Sequence, residues 1–389
     1  MLGADRLHLR GVELPDGEPR DVWVVDGLVR LEPVRDALTL VEQGYLLPGL
    51  VDAHCHVGLE SDGAVPDEVA EQHALAERAA GALLLRDAGS PADTRWIDDR
   101  GDLPRLIRAG RHIARPKRYL RDYGAEVEPD ELVAEVERQA ARGDGWVKLV
   151  GDWIDRDVGD LAPLWPVEAA RAAIHRAHEL GVRVTAHVFG EQAVAELVEA
   201  GIDGIEHGTG IGPEVIALMA ERQVALVPTM LQLDNFERYA AQGEVRFPRY
   251  AAHMRSLYAR RLDTFVAAHD AGVPIYAGTD AGGYLPHGLV AQEIAALAAI
   301  LGSEGALAAG SWAARAWLGR PDVLVDGAPA DLIVVDADPR RDLAVLRTPQ
   351  YVILRGRVVE TSASKSPRPR PDGARHAVRT PGRGEFSAG

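Results

Sequence analysis

Two spacings of apolar residues divide this chain. From Leu2 to Leu47 the apolar positions fall in short runs, RLHLRGVEL, DVWVVDGLVRL and ALTLVEQGYLL, with turn signals at Asp16-Gly17 and Asp26-Gly27. Such runs predict strands without intervening helices. A similar pair, DLIVVDAD and YVILRGRVVE, returns near the C-terminus, separated by Pro339 and a charged loop. The two flanks are expected to pair into one small β-domain that the chain leaves and re-enters.

Between the flanks, apolar runs suited to buried strands alternate with stretches rich in Ala, Leu, Glu and Arg, such as EPDELVAEVERQAAR and PVEAARAAIHRAHELG, which read as helices. The runs are GLVDAHCH, GALLLRDAG, RLIRAGRHI, WVKLVGD, RVTAHVFG, GIDGIEHG, VALVPTM and VPIYAGTDAG, eight in all, with RLIRAGRHI short and polar. This pattern predicts an α/β fold: a (β/α)8 TIM barrel over residues 49–321, with residues 1–48 and 322–360 forming a composite β-sandwich domain. Residues 361–389 are rich in Pro, Gly, Ser and Arg and are expected to form a disordered tail.

Composition narrows the function. A chain of 389 residues exceeds the usual single core unless it is a large α/β barrel, and 47% hydrophobic with 26% charged residues suits a substantial core. The net charge of −16 lacks the basic footprint that nucleic acid or an anionic membrane requires. Cys55 is the single cysteine, so no intramolecular disulfide forms, and the N-terminus has no long apolar signal segment. No run reads as long and apolar enough to span a bilayer. A cytoplasmic protein acting on a small molecule is expected, with neither nucleic acid nor membrane as partner and homo-oligomerisation left open.

Candidate chemistry lies at the strand ends. His54 and His56, Lys148, His187, His207 and Asp280 each sit at or near the C-terminal end of an apolar run, the face that carries the chemistry in such barrels. Residues two apart on a strand point the same way, so His54 and His56 can share one ion while Cys55 turns toward the helices. One histidine in an apolar segment is more often a hydrogen-bonded core residue than a ligand; the ordered set is what argues for metal. A lysine inside WVKLV also needs a reason to be buried: either an ion pair with Asp280 or Asp152, or a neutral amine that becomes an anionic carbamate between cations.

The series LLPGLVDAHCHVGL, WVKLVGD, VTAHVFG, GIDGIEHG, YAGTDAGG, PHGLVAQEIAALAAILG and GAPADLIVVDADP resembles the amidohydrolase superfamily, in its imidazolonepropionase-like and prolidase-like branch. The resemblance spans Leu46 to Val359 and implies a metal-dependent hydrolase that cleaves a C–N bond of an amide, cyclic amide or dipeptide-like substrate. It implies that His54, His56 and Asp280 hold one metal and His187 and His207 a second, with Lys148 bridging them as a carbamate formed with carbon dioxide. Zinc suits these donors, with iron or manganese as options. Asp280 would serve as general base and acid, and His207 or the second metal would polarise the carbonyl. An alternative keeps one metal on His54, His56, His187 and Asp280, as in a ring hydrolase or deaminase. Esterase or lactonase chemistry on the same site and a non-catalytic binding protein are further readings.

Substrate contacts are expected from loops after the strands: Arg118 and Tyr119, Asp152 and Trp153, Gln232 and His287. Arg118, Arg86 and His287 would favour a substrate carboxylate, whereas Arg86 and Asp87 resemble a family pair that supports the metals from beneath. The glycine-histidine cluster common after the third strand is replaced by ARPKRYLRDYGAE, and the usual tyrosine after the seventh is not evident in VPTMLQLDNFERY. Both departures weigh against peptide cleavage. His8, His73, His112, His175, His178, His253, His269 and His376 read as surface or packing residues, and the tryptophans of GSWAARAWLG as packing for the barrel wall.

Overall fold

Asp26-Gly27 makes the turn that its sequence predicts. Both residues have positive φ, 52° and 80°, and they join strands Glu18–Val25 and Leu28–Arg30 as an antiparallel hairpin. The computed structural model describes residues 6–359, so the expected tail at 361–389 lies outside the described residues. The N-terminal strands and the C-terminal Leu332–Val335, Tyr351–Leu354 and Arg357–Val359 form one eight-stranded sheet, joined where Leu332–Val335 runs antiparallel to Tyr45–Pro48. Leu9, Val22, Val24, Leu46, Leu332 and Ile353 give this sheet its own buried apolar cluster.

The chain between the flanks builds a (β/α)8 barrel. Strands Leu50–Glu60, Ala82–Asp87 and Arg105–Arg108 pair in parallel as one arc, and Trp146–Val150, Arg183–Val188, Gly204–His207 and Ala225–Val227 as another. The short third run joins the arcs by splitting. Its first half pairs with Ala82–Asp87, whereas Ile113–Ala114 pairs with the fourth strand at Leu149. The eighth run joins them on the other side: Tyr276 N donates to Leu226 O at 3.0 Å, and Ala53 N to Ala277 O at 2.8 Å. Inside the barrel, beneath the strand ends, the Arg86 and Arg183 guanidiniums pack on the Trp146 ring at 4.7 and 4.1 Å from its centroid, and Trp317 stacks on Tyr276 at 4.3 Å.

One expectation from hydropathy is corrected. The helix Val290–Ala309 is long and apolar enough to cross a membrane by length and composition. Its apolarity has a local cause, because Ile294, Leu297 and Ile300 are buried in the barrel core and Gly302, with φ 68°, breaks the helix. A helix buried on more than one side carries apolar residues around its circumference.

The hairpin Asp152–Asp155 with Asp160–Pro163 overlies the strand ends and is pinned from outside by helix Pro248–Asp270. His253 on that helix lies 2.9 Å from both Asp160 and Glu191. The bond to Glu191, opposed by burial and helped by Asp160, raises His253 to about 9. An imidazole raised above its unfolded value of about 6.5 contributes stability that is complete below that value and disappears as pH rises through about 9. Thermal melts across that window are expected to show a Tm decline that His253→Gln lacks. Equal declines in both proteins would remove His253 as the cause.

Candidate metal centre and substrate pocket

Three ligand atoms, one each from His54, His56 and Asp280, lie within 4.8 Å of one another. Asp280 Oδ1 is 3.0 Å from His54 Nε2 and 2.9 Å from His56 Nε2, and the two Nε2 atoms are 3.1 Å apart. The outer nitrogens are held by acceptors. His56 Nδ1 donates to Gly89 O at 2.7 Å and His54 Nδ1 to the Glu206 carboxylate, which leaves both Nε2 lone pairs facing inward. Gly278 must be glycine, because a Cβ there would stand 2.7 Å from His54 N and 2.5 Å from Val227 Cγ1.

A second group adjoins the first. His187 Nδ1 lies 2.9 Å from His207 Nε2, and His207 Nδ1 lies 2.7 Å from Thr229 Oγ1. The Lys148 Nζ is buried without a hydrogen-bond partner, 4.0 Å from the nearest Glu206 oxygen, and burial pulls its pKa to about 8 against the pull of Glu206 and Asp280. Burial also lowers His56, His187 and His207, the last to about 3, so each is the neutral imidazole that metal ligation requires. Burial works to raise Asp280, but His54 and His56 beside it hold the carboxyl well below the usual range. Neutral nitrogens, an ionised carboxylate and an unpartnered amine converging in one buried space form a donor set that fits divalent metal.

Beneath these groups lies Glu206, a residue that strand alternation conceals. Regular pleating would send Glu206 and His207 to opposite faces. His207 instead takes a left-handed backbone, φ 68°, as do Thr229 at 52° and Asp280 at 58°, and the alternation ends there. Glu206, fully buried, accepts from His54, from Thr185 Oγ1 and from Arg86 Nη2, the last at 2.7 Å. Arg86 also donates through Nε to Ala53 O at 2.7 Å, in keeping with the supporting place expected of it, although Glu206 and not Asp87 is its acid. An acid next to a candidate ligand histidine, inside an apolar run, was the signal for Glu206.

Above this buried donor set opens a pocket of about 160 Å³. Of the expected substrate contacts, Tyr119, Trp153 and Gln232 line it. The others do not. Arg118 pairs with Asp155 at 2.7 Å outside the pocket lining, so the Arg118 expectation is corrected. Asp152 accepts from Phe189 N at 3.0 Å and Gly190 N at 2.6 Å, which ties the hairpin to the start of helix Glu191–Ala200. His287 bonds Glu77 at 2.9 Å and stacks on His73 at 4.3 Å, in a neighbouring cavity.

Sequence reasoning also missed residues. His112, read as packing, is buried in the pocket wall with its ring 5.0 Å from His56. Tyr123, Tyr239, Tyr250 and Tyr284 join Tyr119 there, Tyr239 ending the very segment in which a tyrosine was not evident. Their signal was tyrosine recurring in the segments that follow strands three, seven and eight, Tyr239 and Tyr250 on helices there. No arginine lines this pocket among the described residues, and its formal charges, Lys148 and Asp280, lie at the floor.

Comparison with known proteins adds an independent line. The model of the Amidohydrolase family matches residues 45–359. An uncharacterized protein of Mycobacterium tuberculosis is 57% identical over 357 residues, spanning 91% of this chain and 96% of the relative. The ochratoxinase of Aspergillus niger is 25% identical over 228 residues, 57% of this chain and 47% of the relative. Among solved structures, a Xaa-Pro dipeptidase with methionine bound in its active site superposes with a TM-score of 0.75 at 25% identity, covering 91% of this chain and 99% of that one.

Proposed function

The chain belongs to the amidohydrolase family, and on that premise we propose that it is a metal-dependent hydrolase cleaving the C–N bond of a small, uncharged aromatic amide. The observation that carries this reading is the cluster of His54, His56 and Asp280 at the floor of a tyrosine-lined pocket. His54, His56 and Asp280 would hold one divalent metal, zinc first by donor type and iron or manganese after it. The 2.9 Å approach of His187 Nδ1 to His207 Nε2 favours these two as ligands of a second metal over the single-metal arrangement. When bound, the metal supplies a water of near-neutral pKa, about 7 instead of about 15.7, and Lewis-acid polarisation of the scissile carbonyl.

The chain's own residues do the rest. Asp280 takes a proton from the attacking water and returns it to the departing nitrogen, which must leave as a neutral amine. Lys148, buried and unpartnered, is placed to react with carbon dioxide; its nitrogen bonds the carbon, a proton leaves, and the resulting carbamate anion offsets the charge of two cations. Tyr119, Trp153 and Phe189 pack the substrate's apolar part and keep bulk water from the reacting bond. Tyr123, whose buried hydroxyl has no partner, offers a neutral donor to the substrate.

The substrate class rests on charge. Above the floor, where Lys148, Asp280 and the proposed metal engage one another, a carboxylate at the far end of the substrate would meet tyrosines and no lining guanidinium among the described residues, and an unpaired buried charge costs several kcal/mol. N-acetylaniline and N-acetyl-4-aminobenzoate form a matched pair for the test. The metal-loaded enzyme is expected to hydrolyse the neutral member with kcat/KM roughly 10²-fold higher, from a difference of about 3 kcal/mol. Preference for the carboxylate, or for Xaa-Pro dipeptides, would overturn the substrate class; turnover of lactones or esters alone would overturn C–N cleavage.

A further inference from the structure

At the end of the barrel opposite the histidines, where the second and third strands begin and the flanking sheet packs, there is another cavity. Its volume is about 220 Å³, and Arg105, Arg315, Arg320 and Asp331 line it among apolar residues such as Leu83 and Leu324. Arg315 is only 6% exposed. Its Nε donates to Gly49 O at 2.8 Å, and its buried Nη2 has no hydrogen-bond partner. Asp331, the carboxylate of this wall, is already engaged: Oδ1 accepts from Arg355 N at 2.7 Å, and Oδ2 from Arg105 Nε at 3.4 Å.

Three guanidiniums therefore face one occupied carboxylate. Burial pushes Arg315 down to about 10, with Asp331 opposing and Arg105 and Arg320 adding to the fall. At neutral pH the group stays charged, and an uncompensated cation in a desolvated wall is costly. In a chain of net charge −16 this positive charge is a local construction, not a property of the surface at large.

We propose that this cavity binds a small oxyanion, a phosphate or carboxylate group, held by Arg315 together with Arg105 and Arg320. The planar fork of a guanidinium matches two oxyanion oxygens at once, and Arg315 has an unused nitrogen to offer. The wall draws on the second barrel strand, on Arg320 beyond helix Trp312–Trp317 and on Asp331 at the edge of strand Leu332–Val335. A bound oxyanion would thus join barrel to flanking sheet. This is the strand-start face of the barrel, where residues serve stability, so occupancy raises stability without touching the reacting groups.

Thermal unfolding of the metal-loaded protein, titrated with inorganic phosphate and separately with acetate against chloride at matched ionic strength, tests this. One of the two oxyanions is expected to give a saturable Tm rise of about 2 °C or more, and which one does so assigns phosphate or carboxylate. Arg320→Gln, at an exposed residue, and Arg105→Gln are each expected to weaken the apparent affinity at least tenfold while kcat is unchanged. Arg315→Gln is the stronger test if it folds, but the two milder variants suffice. A rise no larger than chloride gives, or one that both milder variants leave intact, overturns the proposal.

Discussion

Asp280→Asn is expected to lower kcat and kcat/KM together by roughly 10²–10⁴-fold, the range that a positioned general acid–base group supplies. The amide keeps the volume of the side chain, so the effect falls on chemistry. What it loses is the ionised oxygen that lies 2.9 Å from His56 Nε2 and 3.0 Å from His54 Nε2. An uncharged amide neither takes a proton from water nor balances a cation there. With the proposed proton transfer placed in the transition state, KM should move far less than kcat. Full activity in Asp280→Asn, measured with added metal, would remove Asp280 from the reaction.

Glu206→Gln should be the most damaging conservative change for the fold. Arg86 is fully buried, its Nη2 rests on Glu206 at 2.7 Å, and its Nη1 has no partner. Removing the carboxylate leaves that guanidinium uncompensated, at a cost of about 3–5 kcal/mol. Urea unfolding should report this loss, and Arg86→Met in the same chain should recover part of it by removing the stranded charge. His54 loses its anionic partner as well, so metal affinity should fall by roughly 10–100-fold. A Glu206→Gln protein as stable as the parent, with unchanged metal affinity, would show that this carboxylate does neither job.

The sequence made the strand-end residues legible because barrel strands bury apolar runs and end at chemistry. His54 and His56 share a face through ordinary alternation, and the structure brings both to Asp280 from the opposite end of the barrel sequence. Glu206 was hidden by the same alternation, which fails where His207 turns left-handed. Backbone of that kind is set by tertiary packing and leaves no periodic trace. Loops were read least well for a related reason: a charged residue after a strand was taken to face the substrate, yet Arg118 found Asp155 and His287 found Glu77. A nearby counter-charge captures such groups, and only the folded chain says which are near. Tyrosines lack strong ionic partners at neutral pH, and they are what remained to line the pocket.

In the proposed function, His54, His56, Asp280, His187 and His207 form a metal centre on which hydrolysis depends. Elemental analysis of protein purified without added metal, set beside the amide-hydrolysing activity of the same sample, tests it most directly. Between one and two equivalents of divalent metal per chain are expected, with activity that falls on chelation and returns when metal is restored. A preparation free of divalent metal that retains full hydrolytic activity would contradict it.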